Sequence, residues 1–98
     1  MKVNINSVHF KTDRKLEDFI HQKVGKLESF FDGIIAGDVN LKLDNNSSHN
    51  NKITEIKLVI KGTDLYAKKQ SATFEESTDV AVEALRRQLR KHKGKIRE

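Results

Sequence analysis

Hydrophobic spacing changes period twice along this 98-residue chain, and that alternation limits the folds open to it. From Arg14, apolar residues fall at Leu16, Phe19, Ile20, Val24, Leu27, Phe30 and Phe31. This i, i+3, i+4 spacing predicts an amphipathic helix packed on one side. Asp13 is placed to cap its start, and Asp32-Gly33 to stop it. Gly25 inside the helix costs about 1 kcal/mol relative to alanine, so packing must hold that turn. The spacing then shortens to two, at Val39, Leu41 and Leu43 and again at Ile56, Leu58 and Ile60, which predicts two strands. DNNSSHNN (44–51) has no apolar residue and predicts the loop of a long hairpin. After the turn at 61–64, Leu65 to Gln70 predict another strand. Lys2 to Phe10 predict the opening one, with an irregularity near Ser7 and Val8. TFEE (73–76) has capping-box spacing, Thr73 at the N-cap and Glu76 reaching back. Thr78, Ala81, Val82, Leu85 and Leu89 form the buried stripe of a last helix, with Gly94 where a left-handed C-terminal cap is expected.

The expected fold is α+β in the order β-α-β-β-β-α: a four-stranded mixed sheet with two helices packed on one face. The first strand–helix–strand unit should be a right-handed crossover. The other face of the sheet should be solvated, which suits Lys42, Glu55 and Lys57. A chain this short buries about 60% of its unfolded surface, enough for one core, so residues 1–98 read as a single domain.

Composition excludes much chemistry. Without cysteine there is no disulfide, thiolate metal site or thiol nucleophile. His9, His21, His49 and His92 lack metal-ligand spacing and read as solvent-facing side chains. Glu75, Glu76, Asp79 and Glu83 favour the positive end of a helix dipole rather than forming a catalytic cluster. No phosphate-cradling glycine loop or nucleophile elbow is present. The N-terminal residues alternate instead of running apolar, and no stretch approaches the roughly 18 apolar residues of a membrane span. The expectation is a soluble cytoplasmic binding protein, not an enzyme, with no cofactor, metal, membrane or small-molecule substrate.

The chain carries a net charge of +5, and its distribution says more than the total. Residues 86–97 hold seven bases and no acid; without them the chain has 12 bases against 14 acids, a net of −2. Cations near a helix C-terminus gain about 0.3–1 kcal/mol each, an effect confined to the last turn. That accounts for Lys91, Lys93 and Arg90, and not for Arg86 and Arg87 or for Lys95 and Arg97. Arg86, Arg90 and Lys93 follow i, i+4, i+7 spacing beside the apolar seam, and such like charges repel by a few tenths of a kcal/mol per pair. A polyanion would relieve that repulsion and release counterions. In the first helix, Lys23 and Lys26 are placed to border the same groove. The remaining aromatics fall mostly on apolar stripes, so phosphate and shape recognition of structured RNA, ahead of DNA, is expected over base stacking.

KLESFFDGI (26–34) and LRRQLRKHKGK (85–95) resemble the ribosome hibernation promoting factor family, also labelled sigma-factor modulation protein. The similarity runs over essentially the whole chain from Val3-Asn4-Ile5. The resemblance implies a stress or stationary-phase factor that binds the small ribosomal subunit near the decoding centre through 16S ribosomal RNA. It would occupy space needed by mRNA and tRNA, silencing and preserving the ribosome. It implies RNA contacts at Lys23, Lys26, Arg87, Lys91, Lys93 and Lys95, to which the stripe adds Arg86 and Arg90. TFEES (73–77) stands where members often carry an Asp-Met-Tyr tract, and Ala84 where a lysine often precedes the leucine of the basic motif. With Glu98 as its last residue, the chain resembles the short form of the family. Two other classes stay open at this point: a protein-interaction module acting on a transcription factor, and a generic structured-RNA-binding domain.

Overall fold

The computed structural model describes residues 1–46 and 48–97, with side chains through residue 94. Its elements are β1 (Lys2–Ser7), α1 (Arg14–Gly25), a 3₁₀ turn (Lys26–Ser29), β2 (Ile34–Leu43), β3 (Lys52–Ile60), β4 (Thr63–Ser71) and α2 (Phe74–Arg97). The strands lie in the order β1-β2-β3-β4, with β1 parallel to β2 and the other pairs antiparallel. The expected mixed sheet and element order are therefore present. Because β1 and β4 point the same way, α1 and α2 both run back across one face of the sheet, parallel to each other.

Local chemistry sets each helix start. The Asp13 carboxylate accepts from the Leu16 N–H at 2.7 Å, and the Thr73 hydroxyl accepts from the Glu76 N–H at 3.0 Å. Before α1 the chain leaves the sheet through His9, whose φ of 66° is left-handed, while Ser7 Oγ donates to the Phe10 carbonyl at 2.6 Å. Phe10 then stacks on Phe74 with ring centroids 5.1 Å apart, tying this loop to the start of α2.

Two helix ends differ from expectation. The first helix does not run α-helically to Phe31; at Gly25, the weakest helix former in it, the winding tightens into the 3₁₀ turn. Leu27 stays in the core, whereas Phe30 leaves the stripe for the surface. The second helix does not end in a left-handed cap at Gly94. It continues to Arg97, because an exposed helix end keeps its hydrogen-bond ladder through a glycine for about 1 kcal/mol.

The core lies between the helices and one sheet face: Ile20, Val24 and Leu27; Val39, Leu41, Ile56, Leu58 and Ile60; Ala81, Leu85 and Leu89. Gly37 allows α1 to sit close over β2, since a Cβ there would lie 3.1 Å from Val24 Cγ1. A buried hydroxyl knot fixes the first turns of α2 on β3: Thr54 Oγ1 lies 2.6 Å from Ser77 Oγ and 3.3 Å from Thr78 Oγ1. Buried hydroxyls stay inexpensive only when paired in this way. Leu89 is the last buried residue of α2 among those described.

The opposite sheet face is polar, but Glu55 is not solvated there as expected; it is only 8% exposed. Lys42 forms an ion pair with its carboxylate and the Tyr66 hydroxyl donates to it. The Lys42 contact, then the Tyr66 hydrogen bond, hold the Glu55 carboxyl below its ordinary value of 4.5. A depressed carboxyl stabilises the fold above its unfolded value, and that contribution is lost as pH falls through the folded one. Glu55→Gln should lower the neutral-pH melting midpoint by about 4–8 °C, a loss near 1 kcal/mol. It should also flatten the decline in midpoint below pH 4.5. Thermal melts from pH 3 to 7 check this, and a parallel displacement of the whole profile would remove Glu55 from the acid response.

Candidate nucleic-acid interface

α2 is polarised along its length. Glu75, Glu76, Asp79 and Glu83 occupy its first half, and from Arg86 onward its charged residues are basic. The acids complement the N-terminal end of the dipole and the bases the C-terminal end.

Around the helix, the bases point three ways. Arg86, Arg90 and Lys93 face the end of the first helix and, with Phe30, line a groove of about 160 Å³. The Arg86 guanidinium carbon lies 5.2 Å from the Phe30 ring centroid, and its Nη2 is 3.4 Å from a Glu83 carboxylate oxygen. Its Nε is buried without a hydrogen-bond partner among the described residues. Next to this groove Phe31 meets His92 edge-on, with ring centroids 5.5 Å apart.

Lys91 turns the other way. It lines a shallow depression with Thr63, Leu65, Gln88 and His92 at the β4 edge, where Gln88 Nε2 donates to the Tyr66 carbonyl at 2.9 Å. Arg87 stands on the exposed crest between these two sides. Lys95 lies on the helix, but its side chain is outside those described, as is that of Arg97.

The first helix contributes less to the groove than its spacing suggests. Lys23 reaches α2 at the acidic half instead, its Nζ 3.3 Å from Asp79 and 5.5 Å from the Phe19 ring centroid. Lys26 is exposed on the 3₁₀ turn. Lys26, Arg87, Arg90, Lys91 and Lys93 have no ion pair among the described residues, whereas Lys23 and Arg86 each have one. Exposed pairs of this kind are worth at most about 1 kcal/mol, so either cation can exchange its carboxylate for a phosphate. The site is thus a ridge with cations on three sides, and the groove wall facing α2 is the aromatic Phe30, just past the 3₁₀ turn.

Spacing gave no sign that Phe30 belongs to this site, because it fits the apolar stripe. The signal available was Gly25, which marks where the stripe could lose its phase. Gln88 was likewise missed; an amide inside a run of bases reads only as a neutral gap.

Among the described residues no group of three or more histidines or carboxylates is placed to hold a metal, and no helix is long and apolar enough to cross a membrane.

Residues 3–97 match the model of the family described as sigma 54 modulation protein / S30EA ribosomal protein. A ribosome hibernation promotion factor of Bacillus subtilis (strain 168) is 33% identical over 98 residues, spanning 98% of this chain but only 50% of the relative. A ribosome hibernation promoting factor of Klebsiella oxytoca is 30% identical over 101 residues, covering 100% of this chain and 99% of that one. The fold also matches a solved ribosomal subunit interface protein from Coxiella burnetii with a TM-score of 0.85, at 17% identity over 96% of this chain and 99% of the other.

Proposed function

The chain belongs to the sigma 54 modulation protein / S30EA ribosomal protein family, whose curated relatives are ribosome hibernation factors, and from that premise we propose that it silences ribosomes by binding them. Residues 1–98 act as one ribosome-binding domain in the cytoplasm. The partner is the small subunit, held through phosphates of 16S ribosomal RNA near the decoding centre, where the bound protein excludes mRNA and tRNA under stress or in stationary phase. The observation that carries this reading is the isolation of the charge: a basic half-helix in a chain otherwise at −2, its outer cations free of carboxylate partners among the described residues.

Arg87, Arg90, Lys91 and Lys93 meet phosphates directly, and Lys26 adds a contact from the 3₁₀ turn. Lys23 and Arg86 move from Asp79 and Glu83 onto phosphates as the RNA arrives, and Lys95, whose side chain is outside those described, completes the set of proposed contacts. Each phosphate neutralised contributes a salt slope near −0.7 to −0.9. No reacting group enters this mechanism; inhibition follows from occupied volume.

Sedimentation of stationary-phase lysate tests it. The protein should travel with the small subunit or the intact ribosome and leave it as salt rises. A protein that stays at the top of the gradient at low salt overturns the ribosomal reading. Travel with a transcription complex instead would favour the other activity in the family's description.

A further inference from the structure

Phe30 is 43% exposed although its spacing assigns it to the core. It sits in the groove with Arg86, Arg90 and Lys93, and no acid is among these lining residues. Such a site suits a ligand with a flat apolar part joined to an anionic part. We infer that this groove binds one unpaired nucleotide of an RNA strand, with the base stacked on Phe30 and the adjoining phosphates on Arg90 and Lys93. The inference rests on the RNA-binding reading above and narrows it. The site would take a bulged, looped or single-stranded nucleotide, and not only the backbone of a duplex.

Arg86 already shows that the ring accepts a planar cation, at 5.2 Å from its centroid. That arrangement leaves Arg86 Nε buried and unpartnered, an unfavourable state that a phosphate acceptor would end. Drawing Arg86 off the ring therefore exposes a stacking surface and satisfies a donor in the same movement. Bases of any identity offer a π-face, so the groove selects for an unstacked nucleotide rather than for a sequence.

The chain contains no tryptophan, so Phe30→Trp introduces a single reporter at the site. Its emission should be quenched by a single-stranded RNA oligonucleotide and left unchanged by a strand of equal length and charge that lacks bases. Phe30→Leu, which keeps an apolar side chain, should bind the same oligonucleotide roughly tenfold more weakly with an unchanged salt slope. Equal responses to the two strands, or wild-type affinity for Phe30→Leu, would sink the stacking role. Quenching by polyglutamate to the same extent as by RNA would also overturn it, making the groove a docking site for acidic protein. The two readings fail separately. An unquenched Phe30→Trp chain that still sediments with ribosomes rejects stacking alone, whereas a wild-type chain that never sediments rejects the ribosomal partner and leaves the oligonucleotide result to decide the groove.

Discussion

Replacing Arg87, Arg90, Lys91 and Lys93 together by alanine should cut ribosome affinity roughly a thousandfold at 0.1 M salt and reduce its salt slope by about three. The size follows from counterion release: each phosphate contact supplies about 0.7–0.9 of slope, hence a similar fraction of a decade at that salt. These four are the cations on the ridge with no carboxylate partner among the described residues, so their loss leaves no acid exposed in their place. They are also exposed, so the fold should not register the change. Lys57→Ala, on the opposite sheet face, is the matched control and should leave both affinity and slope alone. Binding measured across a salt series separates the outcomes. A quadruple variant that weakens binding at constant slope would mean that these side chains act through shape, not phosphate.

Leu85→Ala should destabilise the fold by about 2–5 kcal/mol, the range for deleting a fully buried leucine side chain. In a domain of this size each kcal/mol lowers the melting midpoint by about 4–8 °C, so the drop should be about 10 °C or more. Leu85 is fully buried, and Arg86 follows it directly in sequence. It is therefore both core and footing for the groove. Below its lowered midpoint the variant should still bind RNA with the wild-type salt slope, because no phosphate contact is lost. Thermal melting paired with a salt series checks both halves. A shift of only 1–2 °C would mean that the helix can collapse into the space and that α2 is held elsewhere, for instance by the hydroxyl knot at Thr54.

The sheet and both helices were legible in the chain because their signals are periodic and local. Val39 and Leu41, Ile56 and Leu58, and Ala81, Leu85 and Leu89 all occupy the core that their spacing predicts. What escaped was phase. A stripe counted at a constant 3.6 residues per turn carries Phe30 inward, and only the tightened winding after Gly25 puts it outside. Glu55 escaped for a different reason: alternation identifies a face, but its burial depends on Lys42 and Tyr66 arriving from two other strands. Within the candidate site, the cations were named from the family resemblance and, for Arg86 and Arg90, from their spacing, and neither signal carries the directions in which they point. Arg90 and Lys91 are neighbours in sequence, yet one faces Phe30 and the other faces β4. Lys23 matched the basic pattern and still settled beside Asp79, since distance across the helix pair decides its partner.

Leu89 as the last buried residue of α2 has a consequence for how such a chain can change over generations. Substitutions at Ala81, Leu85 or Leu89 itself are judged first by whether the protein folds, because they alter what the sheet packs against. Substitutions at Arg90, Lys91 and Lys93, exposed beyond it, leave the core untouched and are judged by the partner alone. Affinity can therefore drift, sharpen or be lost at those three positions without a compensating change anywhere in the domain. One continuous helix thus holds conservative positions, which the sheet packs against, and adjustable ones that only the partner meets.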